Sequence, residues 1–202
     1  MAKRTVYIFG AGGHARVIAS LLGVSDPVFV VPEPTAAGQM AERVVFERAD
    51  ELAASDIYLG IGDNAIRRRL FDRLADVGLF PAVCVAPTAF IARSASLGPG
   101  VVVCPGSAVM DKAVLGANVI VNTLSSVDHD GVVGDHTQIT AGVTLGGTVT
   151  LGSGCFLGIK AAVLPNIRLG DNVVVMAGSL VTGPFGNNLM IGGSPARMVR
   201  ML

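Results

Sequence analysis

The polar chemistry of this 202-residue chain gathers in one short stretch. Asp128, His129, Asp130, Asp135 and His136 follow one another closely, while only nine charged side chains occupy the whole span between Cys84 and Pro184. A neutral imidazole titrates near neutrality and can take a proton from an amine or hydroxyl as it attacks an acyl carbonyl. His129 therefore suits a general base, and Asp130 suits the group that orients it. Adjacent side chains of a strand point to opposite faces, so this pair can meet only if the chain turns at His129. A solvated loop is the bland alternative. A metal centre is the competing use of histidine and carboxylate, but with His14 far away only two histidines remain, too few for a three-histidine zinc site.

A second group of chemistry-bearing residues opens the chain. Gly10-Ala11-Gly12-Gly13-His14 follows the apolar run Thr5–Phe9, and glycines there let the backbone approach a phosphate at the start of a helix. A purely structural turn reads equally well. A redox dinucleotide fits less well, since 76 residues barely provide a second mononucleotide half and Val31-Pro32-Glu33 is an imperfect acidic strand end. Gly62-Asp63-Asn64 follows a later apolar run, where α/β ligands sit at the carboxyl ends of strands. Its alternative is a helix cap.

The elements that must position these residues obey two different rules. Stepping by six from Ile91 to Val181 meets sixteen positions, all aliphatic, among them Leu97, Val127, Val133 and Leu169. Residues four further on are mostly small or β-branched, as at Ala95, Ser107, Ser125, Thr137 and Ala161. Gly98, Gly116, Gly134, Gly152 and Gly170 recur at intervals of eighteen, so three hexads make one coil. A triangular parallel β-solenoid satisfies both periods, with glycine supplying permissive angles at one corner. His129 then lies two residues beyond the inward Val127, near a corner. The first 76 residues instead read as a small α/β domain: strands at Thr5–Phe9, Val28–Val31 and Ile57–Ile61, with helices over Ala15–Leu22 and Ala65–Val77.

Composition excludes several classes. Fifteen basic residues balance fifteen acidic ones, so no global field recruits nucleic acid or an anionic membrane. Mean hydropathy is +0.61, yet the uncharged stretch between Asp135 and Lys160 is broken by Gly and Thr and does not read as a spanning helix. Lys3 and Arg4 precede too short an apolar run for a signal peptide. Cys84, Cys104 and Cys155 form neither a disulfide framework nor a metal motif, and a reduced cytoplasm is the expectation.

The hexads LGPGVV, LGANVI, LGSGCF and LGDNVV resemble the hexapeptide-repeat acyltransferases, whose solenoid is left-handed against the usual crossover preference. Together with the GAGGH loop, IGDNAIR, SSVDHD and the terminal GGSPARMV, nearly the whole chain is similar to the bacterial sugar O- and N-acyltransferases. That resemblance implies a nucleotide-sugar-binding α/β domain over 1–76, a left-handed β-helix over 77–184 and a tail over 185–202. It implies a homotrimer, with acetyl-CoA as co-substrate and no metal, acting on a nucleotide-linked sugar. Residue by residue, it makes His129 the base, Asp130 its acidic neighbour and Asn122 a polar group facing the substrate. Gly147 becomes a backbone donor to the thioester oxygen, with Gly146, Gly158, Lys160 and Ala161 beside acetyl-CoA. Gly12, Gly13 and His14 match the nucleotide-sugar loop, and Gly62, Asp63 and Asn64 join them.

Two positions depart from that pattern: relatives commonly carry histidine where this chain has Gln138, and paired acids where it has Val31, Pro32 and Glu33. The expected activity is N-acetylation of a nucleotide-linked amino sugar. Sugar O-acetylation and a non-catalytic sugar-binding solenoid stand as alternatives.

Overall fold

The computed structural model describes residues 5–24, 26–30 and 52–202; the Val31-Pro32-Glu33 segment, Lys3 and Arg4 lie outside them. The chain divides into two compact units, Met1–Cys84 and Val85–Leu202. The expected junction at residue 76 thus moves to 84. The Ala82 N–H donates to the Ile57 carbonyl (2.7 Å), which ties the segment after the last helix back to the small sheet.

In the first unit, β1 (Val6–Phe9), β2 (Val28–Val30) and β3 (Asp56–Leu59) form a parallel sheet of order β2-β1-β3. Tyr7, Ile8, Phe9, Ile57 and Leu59 are buried within it. Such near-continuous apolar strands are what a covered parallel sheet requires. Helix α1 (Gly13–Leu22) buries Ala15 and Ile18, and α2 (Asn64–Asp76) buries Leu70, Phe71 and Leu74. The α1 helix starts two residues earlier than its apolar spacing predicts because Gly12 serves as N-cap in extended backbone.

The second unit is the left-handed parallel β-helix. Its coils are two-residue strands stacked on three faces, each strand pairing with the one eighteen residues away. Face I runs through Val102–Val103, Ile120–Val121, Gln138–Ile139 and Phe156–Leu157. Face II runs through Ala108–Val109, Ser126–Val127 and Thr144–Leu145. Face III runs through Val114–Leu115, Val132–Val133, Thr150–Leu151 and Arg168–Leu169. The hexad aliphatics point inward as ladders: Val121, Ile139, Leu157 and Val175 on face I are all fully buried, as are Val109, Val127 and Val181 on face II. Ser107 and Ser125 enter the interior with their hydroxyls donating to the carbonyls of Asn122 and Thr140, both at 2.7 Å. Buried polar groups are tolerated there because each has a partner.

The corners differ from the expectation in a specific way. The glycines at intervals of eighteen do not hold positive φ. They are required because a Cβ at Gly98 would come within 2.7 Å of the Gly116 backbone, and one at Gly134 within 2.5 Å of Gly152. Left-handed backbone falls two residues later, at every sixth position from Gly100 to Gly178, and includes Lys112, Asn118, Leu124, Asp130, His136, Thr148 and Lys160. Residues 185–202 are not a loose tail. Leu189–Gly193 extends face I in parallel and pairs antiparallel with Ala196–Met201.

Candidate active site

The turn that His129 and Asp130 need is supplied by the corner between faces II and III. Asp130 takes left-handed backbone (φ 55), fixed by its N–H donating to the Asp111 carbonyl one coil below (2.9 Å). That φ brings the two neighbouring side chains to one side, and His129 Nδ1 lies 2.9 Å from Asp130 Oδ2. The His129 N–H donates to Asp128 Oδ1 (2.7 Å), and the His129 carbonyl accepts from Thr148 N–H in the coil above (2.9 Å). With the Asp130 carboxylate accepting from Nδ1–H, the neutral ring carries its lone pair on Nε2. The hydrogen bond to Asp130 raises the imidazole above its ordinary value. Partial desolvation opposes this, and the fields of Asp128, Asp130 and Asp111 add to it. More than half of the ring remains exposed.

Gly147 occupies the same corner one coil above, and the His129 ring lies against it: a Cβ there would meet Nε2 at 2.5 Å. The Gly147 carbonyl accepts from Asn166 N–H (3.0 Å) and Thr148 Oγ1 (2.6 Å), whereas its N–H has no hydrogen-bond partner among the described residues. A basic nitrogen and a backbone N–H with no partner among the described residues therefore sit at one corner. Gly146 is needed beside them because a Cβ would strike Pro165 at 2.8 Å.

The sequence cluster around His129 separates in space. Asp135 and His136 turn at the corner between faces III and I, where Asp135 Oδ1 accepts from Ala117 N–H (2.7 Å) and His136 Nδ1 pairs with Asn118 Nδ2 (2.9 Å). Both are built into the coil stacking. Asn122, Gly158 and Lys160 lie at the third corner, between faces I and II. Asn122 Oδ1 accepts from Thr123 N–H (2.7 Å), and Nδ2 has no partner among the described residues. Ala161 is a core residue, 1% exposed, so only its backbone can meet a ligand. Gln138 is buried on face I with Oε1 unpartnered. Burial raises the Cys104 and Cys155 thiols to about 11, which leaves neither as a nucleophile.

The first unit carries the glycine loop expected to meet a ligand. Gly10 is the strained glycine of the loop (φ +108), and its Cβ would meet the Gly60 carbonyl at 2.8 Å. Gly12 and Gly13 have no such φ, and a Cβ on either meets none of the described residues within 4 Å. No described residue closes over their backbone. His14 follows, with Nε2 buried and without a hydrogen-bond partner among the described residues. Burial, helped by the Arg67 cation, pushes its pKa down to about 4, so the ring is neutral.

Arg67 was not among the expected residues. It is 1% exposed and donates to the carbonyls of Ile61 (3.2 Å) and Gly62 (3.4 Å) and to Asn64 Oδ1 (2.8 Å). An arginine in an otherwise amphipathic helix carries no sequence signal that it is buried. Asp63 accepts from Ile66 N–H (2.9 Å) as the α2 N-cap. The cap alternative thus accounts for Asp63, and Asn64 serves Arg67; a Cβ on Gly62 would meet no described residue within 4 Å.

Residues 5–74 match the PglD N-terminal domain family. The acetyltransferase domain of PglB from Neisseria gonorrhoeae FA1090 is 27% identical, with TM-scores of 0.88 alone and 0.86 in complex with acetyl coenzyme A, over 98% of this chain and 100% of that one. A histidine-to-alanine variant of GDP-perosamine N-acetyl transferase from Caulobacter crescentus, in complex with CoA and GDP-perosamine, is 28% identical at a TM-score of 0.83, over 98% and 97% of the two chains. Serine acetyltransferase 4 of Arabidopsis thaliana is 38% identical over 76 residues, 34% of this chain; the match spans only 21% of that protein's length. Residues 5–74 thus carry a PglD-type amino-terminal domain, and the six-residue ladder that follows gives the chain near-complete overlap with the folds of sugar acetyltransferases.

Proposed function

We propose that this protein transfers the acetyl group of acetyl-CoA to the amino group of a nucleotide-linked amino sugar. The observation that carries the reading is the corner in which Asp130 holds His129 with its ring against Gly147, whose N–H has no partner among the described residues. In the proposed step the sugar nitrogen attacks the thioester carbonyl carbon as His129 Nε2 takes a proton from it. Gly147 N–H stabilises the developing oxyanion, a contact worth about 3 kcal/mol in comparable sites. The C–S bond then breaks, and the leaving thiolate accepts the proton from His129. Asp130 stabilises the imidazolium between these transfers. Acetyl-CoA supplies the activated acyl group, as it accompanies the similar gonococcal domain.

The open backbone at Gly12 and Gly13, beside the neutral His14 and the loop held by Arg67, suits the phosphates of the nucleotide sugar. Two groups of expected residues sit at different edges of one solenoid: His129, Asp130, Gly146 and Gly147 at one, Asn122, Gly158 and Lys160 at another. In the proposed assembly, a homotrimer with shared clefts, the one edge of each copy meets the other edge of its neighbour. Exposed Leu124, Ile159 and Met176 at the second edge suit such an interface. No helix among the described residues is long and apolar enough to cross a membrane, and three buried free thiols suit a reducing cytoplasm.

The test is thiol release from acetyl-CoA with a panel of nucleotide amino sugars and their hydroxyl counterparts. Turnover on the amine that falls about 100-fold or more in His129→Ala, with Asp130→Asn milder, is expected. Turnover on hydroxyls alone would make the protein an O-acetyltransferase. Nucleotide-sugar binding without turnover would make it a binding scaffold.

A further inference from the structure

The active corner is built against a local preference of its own backbone. The left-handed residues at the solenoid corners are glycine, asparagine, aspartate, histidine, lysine or leucine, with one exception among the described residues. That exception is Thr148, β-branched and held at φ 59. Two heavy atoms on Cβ crowd the backbone in this region, so threonine is among the residues least suited to it. Strain of this kind persists only where the surrounding structure holds it, and it gathers at functional sites. Thr148 directly follows Gly147. Its backbone is tied as in the coil below: the Gly147–Thr148 peptide gives its N–H to the His129 carbonyl (2.9 Å) and takes Asn166 N–H on its carbonyl (3.0 Å), just as the His129–Asp130 peptide spans Asp111 and Thr148. What the threonine adds is a hydroxyl, which donates to the Gly147 carbonyl (2.6 Å) and reaches Asn166 Oδ1 at 2.6 Å.

Gly147 needs such a tie. A Cβ there would meet His129 Nε2 at 2.5 Å, so only glycine leaves room for the ring, and glycine is the residue whose φ and ψ are least confined. The peptide that carries the Gly147 N–H is held, among the described residues, by one long bond from Val149 N–H to the Gly146 carbonyl (3.4 Å). The firmer hold is on the following peptide, where the Thr148 hydroxyl acts. We infer that Thr148 is a positioning residue of the acetyl-transferring corner: its hydroxyl fixes the Gly147 backbone against the coil of His129, so that the N–H donor and the base keep one separation through turnover. This rests on the acetyltransferase reading above, and it gives the left-handed threonine a part in the reaction at a cost in local stability.

Three substitutions divide the hydroxyl from the branch. Thr148→Ser keeps the hydroxyl without the branch, Thr148→Val keeps the branch without the hydroxyl, and Thr148→Gly removes both. Steady-state thiol release, assayed well below the lowest melting temperature, and thermal melts on the same samples read the two roles separately. Turnover should follow the hydroxyl: kcat stays within about twofold of the parent in Thr148→Ser and falls at least about tenfold in Thr148→Val and Thr148→Gly, with KM for acetyl-CoA within a few-fold throughout. Melting temperature should follow the branch, falling in Thr148→Val and staying level or rising by a few degrees in Thr148→Ser. Parent-like kcat in Thr148→Val or Thr148→Gly, or a tenfold loss in Thr148→Ser, would overturn the assignment and leave the acetyltransferase reading intact. A parent protein that releases no thiol with any acceptor would remove that reading and this one together.

Discussion

Replacing Gly13 by alanine separates a ligand-binding loop from a structural turn, and the geometry makes the two outcomes opposite in sign. Gly13 is the first residue of α1 and lacks positive φ, and a methyl group there meets no described residue within 4 Å. Alanine should therefore stabilise the small unit by about 0.4–1 kcal/mol through the unfolded chain. For a unit of that size this raises the melting temperature by a few degrees. The same methyl occupies the space into which a phosphate must come to reach the backbone N–H groups. Nucleotide-sugar affinity should fall at least tenfold, about 1.4 kcal/mol, while CoA affinity stays within a few-fold. Gly10→Ala is the contrasting variant: its φ of +108 and the 2.8 Å approach to the Gly60 carbonyl predict destabilisation before any effect on ligand. Differential scanning calorimetry and titration calorimetry on the same samples read both quantities. Gly13→Ala losing melting temperature, or binding nucleotide sugar as the parent does, would refute the assignment of this loop.

Gly147→Ala should lower turnover at least tenfold with little change in melting temperature, because the new methyl displaces the exposed His129 ring from 2.5 Å rather than any buried group; unchanged turnover measured by thiol release would separate Gly147 from the chemistry. Only neutral His129 is a base, so the rate should fall as pH drops through its raised pKa, above 6.5. Asp130→Asn should move that limb to lower pH in a pH–rate profile. His14 carries the opposite sign: its native pKa of about 4 lies below the 6.5 of the unfolded chain, so the unfolded state protonates first. The small unit should lose roughly 3 kcal/mol as pH falls from 6.5 to 4, a loss that thermal melts should show flattened in His14→Gln. Asp63→Ala should destabilise α2 by about 1 kcal/mol through the lost bond to Ile66 N–H, measured by urea titration.

The sequence alone determined the solenoid and the small α/β domain before it. Inward-facing residues of stacked two-residue strands must repeat at the coil period, and a narrow interior admits only aliphatic and small side chains, so Val127, Ile139 and Leu157 announce the fold one hexad at a time. His129 was legible for the same reason: its offset from Val127 puts it at a corner. What local spacing cannot carry is contact between coils. The reason for Gly116 and Gly134 lies in the backbone eighteen residues away, not in their own torsions. The division of Asp135 and His136 from His129 follows from which corner each residue turns, and the burial of Arg67 depends on carbonyls at Ile61 and Gly62 that only the folded loop presents. Strand ladders decide the register along the axis, and with it which of these side chains meet, because each coil finds its hydrogen-bond partners only in the coils above and below.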